Sequence, residues 1–157
     1  MSGALTIGTL DGANIEIRDR VGKENFFLFG KTESEIMSLQ TNKYNPQSFI
    51  DSCPELSEAL RLIKSGHFSN GDGELFSPLV NNLTSKDPFF VMADFADYLR
   101  VQENVSKAWS NRKEWNKMSL LNTARSGFFS SDRSIREYCE NIWNVSQLPV
   151  EITCDVR

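Results

Sequence analysis

The spacing of apolar and polar positions divides the chain into a short beginning that predicts strands and a long remainder that predicts helices. Residues 5–7 and 26–29 are continuous apolar runs that end at Gly8 and Gly30. Continuous apolar runs bounded by glycine are typical of parallel strands that are buried on both faces. The gap between them is long enough for the crossover that parallel neighbours require. Residues 1–30 therefore predict one βαβ unit.

The connection between these two runs carries the signals of a short helix. Asn14 is placed to be its N-cap, residues 15–21 supply about two turns, and Gly22 is placed to end it. The unit is thus a strand, a helix and a second, parallel strand.

After Gly30 the apolar spacing becomes helical, and most helix starts carry a recognisable signal. The sequence predicts a turn at residues 69–73 and a short extended piece at residues 89–92. The predicted helix starts are a capping box at Thr32–Glu35, Asn45 before Pro46, the segment 52–55, a helix over 75–83 with Pro78 in its first turn, Asp94, a second capping box at Asn111–Glu114, and Ser130 or Ser131.

Two helical stripes of large apolar side chains are predicted to face the core, because helical spacing explains them without a ligand. The fold class that follows is α/β: a few parallel strands, then mostly helices. The two stripes are Phe95, Tyr98, Leu99, Val105 and Trp109, and Ile135, Tyr138, Cys139, Ile142 and Trp143.

Composition narrows the class of partner. Of the 157 residues 39% are hydrophobic and 24% are charged, and the net charge is −4, as in an ordinary globular domain. A net acidic chain without a basic run argues against nucleic acid and against an anionic membrane surface. No apolar stretch approaches the length of a membrane span, and no signal peptide is evident. We expect a cytoplasmic location, with a plastid as the alternative.

The cysteines and the single histidine suggest no reactive site. Cys53, Cys139 and Cys154 are widely spaced and lack a CxxC motif or a neighbouring histidine, so we expect reduced thiols and no zinc site. His67 lies in a predicted loop after a helix, where a surface or capping role is more common than catalysis.

The turn after the first predicted strand is the best placed for a ligand. Gly8, Asp11, Gly12 and Asn14 crowd this turn, and α/β folds bind ligands at the carboxyl ends of strands. Such a turn can bind an anion through backbone N–H groups, or it can simply allow a tight connection. The second interpretation is preferred, because the spacing matches neither a GxGxxG motif nor a Walker loop. Asp11 is the acid best placed for chemistry.

Other charged groups have simpler explanations. Asp94 with Asp97, and Asp51 with Glu55, are spaced as helix-start carboxylates that serve caps and the helix dipole. Residues 130–133, Ser-Ser-Asp-Arg, could bind an anion at a helix N-terminus. We prefer a cap, with the arginine paired to a neighbouring acid. The sequence predicts no catalytic, cofactor-binding or metal-binding residue.

Two long blocks closely resemble the C-terminal domain of the α-glucan phosphorylases, which act on glycogen, starch or maltodextrin. The first block is Gly-Ala-Leu-Thr-Ile-Gly-Thr-Leu-Asp-Gly-Ala-Asn at residues 3–14, followed by Glu-Asn-Phe-Phe-Leu-Phe-Gly at 24–30. The second is Gly-Phe-Phe-Ser-Ser-Asp-Arg-Ser-Ile-Arg-Glu-Tyr at 127–138, then Asn-Ile-Trp at 141–143. Shorter pieces between them also agree: Pro-Glu-Leu at 54–56, Ala-Asp-Phe at 93–95, Tyr98, Arg-Lys-Glu-Trp at 112–115 and Met118.

The resemblance implies the end of a Rossmann-like (GT-B type) domain, one of two that face each other across a cleft. It also implies a pyridoxal phosphate enzyme that uses orthophosphate to release glucose 1-phosphate from α-1,4-glucan. In the family the cofactor lysine lies in a Gly-Asn-Met-Lys-Phe motif just before the segment that matches residues 3–6, so we expect it to lie upstream of this chain. Neither Lys23 nor Lys31 matches it.

We therefore expect a C-terminal fragment of a phosphorylase that holds no cofactor and is inactive alone. Its unpaired sheet edge and apolar faces should make it marginally stable, self-associating, or dependent on the missing N-terminal part. The alternatives are a stand-alone interaction or regulatory module and, less favoured, half of a sugar-nucleotide transferase. Residues 1–157 form one partial domain: the βαβ unit at 1–30, the helical part at 31–145 and a loose tail at 146–157.

Overall fold

A computed structural model of the chain describes residues 2–146 and 148. It contains a two-stranded parallel sheet followed by helices, which confirms the α/β class in its coarse form. The elements in chain order are β1 (Ile7–Gly8), α1 (Gly12–Val21), a 3-10 turn (Lys23–Asn25), β2 (Phe27–Leu28), α2 (Glu33–Thr41), α3 (Pro46–Ser52), α4 (Pro54–Lys64), α5 (Ser77–Ser85), α6 (Val91–Ser110), α7 (Arg112–Ala124), a second 3-10 turn (Ser126–Phe129), α8 (Ser131–Tyr138) and a π-helical turn (Cys139–Trp143).

The predicted βαβ unit is confirmed, with one boundary corrected. Ile7 pairs with Phe27 and Gly8 with Leu28 in parallel register. Helix α1 begins at Gly12 rather than after Asn14. The Asn14 side chain is not a cap, because it lies inside the helix and turns back to donate to an earlier carbonyl. Gly22 ends α1 as predicted, with a φ of 93° that favours glycine.

The strands are less buried than the sequence predicts. Ile7, Phe27 and Leu28 are half-buried, although helix α6 packs against β2. A strand is covered on both faces only when helices flank the sheet on both sides. Within the described residues the sheet has two strands, so part of each strand remains open to solvent.

Helices α3, α4 and α6 enclose the main hydrophobic core. The starts of α3 and α4 are as the sequence predicts, with proline in the first turn of each helix. Pro78 likewise lies in the first turn of α5, as expected. The buried cluster consists of Ile50, Cys53, Leu56, Leu60 and Met92, and half-buried Phe49, Leu83, Phe95 and Leu99 pack around it.

Helix α6 begins differently from the prediction. Residues 89–92 are not extended: Phe90 is left-handed, with a φ of 56°, and the helix starts at Val91. Asp94 lies in the first turn and does not cap the helix. The capping carboxylate is that of Asp87, which accepts hydrogen bonds from the backbone N–H groups of Val91 and Met92.

The second predicted core stripe is wrong for the described part of the chain. Ile135, Tyr138, Ile142 and Trp143 are exposed on α8 and the turn that follows it, and Ile142 reaches 65% exposure. In the first stripe, Trp109 and Tyr98 are also exposed, whereas Phe95 and Leu99 pack on the core. These faces are apolar by sequence, but nothing in the described chain covers them.

No helix among the described residues is long and apolar enough to cross a membrane. The turn predicted at residues 69–73 is present. The predicted loose tail at 146–157 lies outside the described residues, apart from Ser146 and Leu148, which are exposed.

Candidate functional site

The connection between β1 and α1 forms a compact turn at the carboxyl end of the sheet. Asp11 precedes the helix in an extended conformation, and its carboxylate accepts a hydrogen bond from the Thr9 hydroxyl at 3.1 Å. The Asn14 side-chain amide donates to the Thr9 carbonyl at 3.1 Å. A Cβ atom at Gly8 would lie 2.6 Å from that amide nitrogen, so a larger residue there would displace the Asn14 side chain from its hydrogen bond. These contacts fix the turn locally.

A shallow groove of about 480 Å³ lies beside this turn, between α1 and α2. Asp11, Gly12 and Lys31 contribute its polar part, and Glu33 adds another acid. Lys31 is already within 3.8 Å of the Glu35 carboxylate. The apolar part consists of Leu10, Ile15, Ile36 and Met37.

The groove does not fit a pyridoxal phosphate site. The cofactor needs a lysine for its aldehyde and a cationic or N–H-rich cradle for its phosphate. Lys31 is ion-paired, and Asp11 and Glu33 place two carboxylates where a phosphate would need positive charge. The second predicted use of the turn, a tight connection, accounts for its contacts without a ligand.

The end of β2 is fastened to α6 by two carboxylates. The Asp97 carboxylate accepts from the Gly30 N–H at 2.9 Å, and the Asp94 carboxylate accepts from the Lys31 N–H at 2.7 Å. Asp97 also accepts from Arg100. The sequence predicted helix-start roles for both acids, and their observed role is to fasten the sheet to the helix.

The two carboxylates have opposite pKa shifts. Burial raises the pKa of Asp94, and the Lys31 N–H bond only partly opposes it. For Asp97 burial acts in the same direction, but hydrogen bonds from Arg100 and Gly30 together lower the pKa below its usual range. Burial therefore decides the shift of the Asp94 pKa, whereas the hydrogen bonds from Arg100 and from the Gly30 N–H decide the shift of the Asp97 pKa.

Asp87 is the buried acid that the sequence analysis missed. It is 1% exposed, and besides the two N–H groups of α6 it accepts a hydrogen bond from the Tyr44 hydroxyl at 2.6 Å. Burial, followed by the hydrogen bond to Asp87, raises the pKa of Tyr44. The sequence contains a signal for this role, because Asp87 precedes a proline and lies four residues before the first residue of α6.

The remaining candidates lie apart from one another and have structural partners. Asp51 accepts from Gln47, and Glu55 lies in the exposed first turn of α4. His67 is exposed and packs edge-on against Phe68. Cys53 and Cys139 are free thiols, whereas Cys154 lies outside the described residues. Residues 2–146 and 148 contain no group of three potential metal ligands.

Residues 130–133 form a packing site rather than a free anion site. Ser130 precedes α8, and Arg133 donates to the Phe128 carbonyl and to the Glu137 carboxylate. The guanidinium groups of Arg20 and Arg133 lie 3.5 and 3.9 Å from the centre of the Phe128 ring. This arrangement ties the end of α1 to α8, and the predicted pairing of Arg133 with an acid is confirmed.

Comparison with known proteins agrees with the resemblance carried by the two sequence blocks. The family model described as "Carbohydrate phosphorylase" matches residues 1–145. Glycogen phosphorylase of Synechocystis is 49% identical over 97% of this chain, and that of Chlamydia pneumoniae is 47% identical over 92%. The muscle form of human glycogen phosphorylase is 45% identical over 92% of this chain.

The chain spans about a fifth of the length of these relatives: 18% of each of the two bacterial enzymes and 17% of the human enzyme. The family match nevertheless covers more than nine-tenths of the chain itself. The chain belongs to the carbohydrate phosphorylase family.

Proposed function

We propose that the chain supplies the C-terminal part of the catalytic domain of an α-glucan phosphorylase that depends on pyridoxal phosphate. The parent reaction is phosphorolysis, in which orthophosphate cleaves a terminal α-1,4-linked glucose and releases glucose 1-phosphate. One observation carries the proposal: nearly the whole chain matches glycogen phosphorylases at 43–49% identity. The parallel βαβ unit also supports a Rossmann-like (GT-B type) parent domain.

In this proposal the chain is a structural part of the enzyme and contributes no catalytic residue. The acids that the sequence singled out, Asp11, Asp94 and Asp97, bond to a hydroxyl or to backbone N–H groups. Lys31 is paired with Glu35. The cofactor lysine and the phosphate site would come from the remaining polypeptide of the enzyme, and the chain alone would be inactive.

The exposed apolar stripe on α8 and the turn after it supports the idea that this chain packs against another protein surface. Four large apolar side chains of α8 and the turn after it are exposed, and two of them, Tyr138 and Trp143, stack on each other; the four are Ile135, Tyr138, Ile142 and Trp143. Monomeric proteins rarely expose such stripes unless they form an interface. We propose that the remainder of the phosphorylase covers this stripe, and that without it the chain self-associates. The proposed location is the cytoplasm or a plastid, where glucan is stored.

Complementation tests the proposal directly. The Synechocystis glycogen phosphorylase, shortened by the segment that matches this chain, is purified with and without the added chain. We expect glucose 1-phosphate formation only when both parts are present, and pyridoxal phosphate trapped by borohydride only on the Synechocystis part. Turnover or a trapped lysine in this chain alone would contradict the proposal.

A stand-alone interaction module is the second candidate, and the same exposed stripe favours it. The matched variant Ile142→Glu separates the two. If the chain serves the enzyme, this variant should fail to restore activity, whereas the exposed-site control Met37→Glu should restore it. If the chain folds stably, never complements and stays monomeric, the interaction module is preferred.

A further inference from the structure

A small aromatic cavity lies where β2 ends against the first turns of α6. Its volume is about 310 Å³, and its lining is almost entirely apolar, with one carboxylate. It is open to solvent, and Phe89 at its rim is 82% exposed. We call it the aromatic cavity, and its lining residues are Phe29, Phe89, Val91, Asp94, Phe95 and Tyr98.

The rim is fixed by an unusual turn. Asp87 and Phe90 have φ values of 36° and 56°, a region that bulky residues rarely adopt. The buried Asp87 carboxylate holds the turn through the Val91 and Met92 N–H groups and the Tyr44 hydroxyl. Strained backbone persists only where its surroundings define it, and such positions cluster at ligand sites. The turn presents Phe89 to solvent instead of burying it.

The walls of the cavity are equally well defined. The Tyr98 ring packs edge-on against Phe29, with ring centres 5.2 Å apart. Asp94 is held by the Lys31 N–H through its Oδ1 atom, and no donor among the described residues bonds to its Oδ2 atom. The lining therefore combines packed aromatic rings with one carboxylate, whose unused acceptor atom lies beside Gly30 at the end of β2.

The charge around the cavity is mainly negative. Asp94 is the one charged residue of the lining, and the buried Asp87 lies near it. Lys31 and Arg100 are already paired, with Glu35 and with Asp97. The cavity therefore offers no free cation for a phosphorylated ligand, and its single carboxylate does not match the several charges of a strongly basic peptide. A neutral ligand with hydroxyl donors and apolar faces fits this lining best.

We propose that the aromatic cavity binds a glucose unit of a neutral α-1,4-glucan chain as a surface site. The C–H face of the sugar ring packs on Phe89 and Tyr98, and a hydroxyl group donates to Asp94. The volume lies near the lower end of the range for small-molecule sites, about 300–1,000 Å³, which suits one or two sugar rings. The choice of glucan as the source of the ligand rests on the proposed function.

The test is a titration of the isotope-labelled full chain with maltoheptaose, followed by NMR of the aromatic side chains. We expect saturable shifts confined to the phenylalanine and tyrosine signals of the cavity. Phe89→Ala should weaken the affinity about tenfold, as expected for one lost stacking contact. Phe68→Ala is the matched control, since Phe68 is also an exposed phenylalanine but does not line the cavity. Asp94→Asn should weaken binding without changing the fold, because its amide oxygen can still accept from the Lys31 N–H.

Each outcome decides the question. The glucan site would be overturned if maltoheptaose caused no saturable shift, or if it shifted the signals of Phe89→Ala as strongly as those of the unchanged chain. Shifts that appear only when the protein concentration is raised would also overturn it and would indicate a contact between copies of the chain. Binding without complementation of the Synechocystis enzyme would preserve the site and reject the proposed function. Complementation without maltoheptaose binding would support the proposed function and reject the glucan site.

Discussion

The buried carboxylate of Asp87 should be the most important single polar group for the stability of this chain. It accepts three hydrogen bonds, from the Tyr44 hydroxyl and from the N–H groups of Val91 and Met92, at 2.6 to 3.0 Å. It thus joins the segment before α3 to the start of α6, and both of those helices line the main core. Asp87→Ala removes all three bonds at once.

The expected loss of stability in Asp87→Ala follows from these three hydrogen bonds. A hydrogen bond to a charged acceptor contributes about 1.5–3 kcal/mol, but bonds that share one acceptor are not additive. Asp87→Ala should therefore lower the free energy of unfolding by about 3–4 kcal/mol, a large loss for a single domain. Asp87→Asn keeps the shape and one acceptor atom but loses the charge, and should lower it by about 1–2 kcal/mol.

Urea unfolding followed by circular dichroism at 222 nm measures these changes. Asp51→Ala is the control, because Asp51 is an exposed acid on α3 with a single side-chain partner, and it should change stability by less than about 0.5 kcal/mol. Tyr44→Phe, alone and combined with Asp87→Asn, isolates the bond between Tyr44 and Asp87. A loss below about 1 kcal/mol for Asp87→Ala, or full additivity of the two changes, would refute the reasoning.

The remaining predictions concern the sheet, its fastening and the exposed stripe. The raised pKa of Asp94 means that this carboxyl binds its proton more tightly in the folded state than in the unfolded state. Its contribution to the free energy of unfolding is therefore full below the usual pKa of 3.8 and is lost as the pH rises above that value. The lowered pKa of Asp97 acts oppositely: its contribution to the free energy of unfolding is present above the usual pKa and is lost as the pH falls. When unfolding is measured from pH 3 to 7, Asp94→Asn and Asp97→Asn should therefore change the slope of the free energy of unfolding against pH in opposite directions. Gly8→Ala should lower the free energy of unfolding by about 1–3 kcal/mol through overlap with the Asn14 amide, whereas nothing lies within 4 Å of a Cβ atom at Gly127, so Gly127→Ala is its control in the same urea titration. Ile142→Glu should shift the chain toward monomer in light scattering at matched concentrations.

Three results would contradict these predictions. Parallel pH slopes for the two aspartate variants would mean that burial and hydrogen bonding do not set their pKa values as described. Equal effects of the two glycine substitutions would mean that the turn relaxes around a Cβ atom. Unchanged association of the Ile142→Glu variant would place the interface between copies elsewhere.

Much of the local structure could be predicted because its signals are local. The capping box at Thr32 and Glu35 is present with both of its bonds, and the Asn45 side chain caps α3 beside Pro46. Only half of the second predicted capping box forms: the Asn111 side chain accepts from the Glu114 N–H, but the Asn111 N–H donates to the Ala108 carbonyl and not to Glu114. These interactions connect residues two or three apart, so the sequence contains both partners in one short window.

The errors arose where the partner of a side chain lies far along the chain. Asp94 was predicted to cap α6, but it bonds to the Lys31 N–H, 63 residues away. Asp87, whose partner Tyr44 is 43 residues away, received no role. Asn14 was predicted to cap α1, because its side chain is a good acceptor, but the chain uses it as a donor to the turn before the helix. Residue chemistry alone does not choose between such partners.

By itself, the sequence determined the family, the βαβ unit, the positions of most helix starts and which helix faces are apolar. These depend on residue type, spacing and short-range hydrogen bonds. Only the tertiary structure decided which apolar faces are covered, which carboxylates fasten the sheet to α6, and that Phe89 and its neighbours enclose a cavity. The physical reason is that burial and long-range hydrogen bonding depend on how elements distant in sequence pack together, and an apolar stripe has the same pattern whether it is covered or exposed.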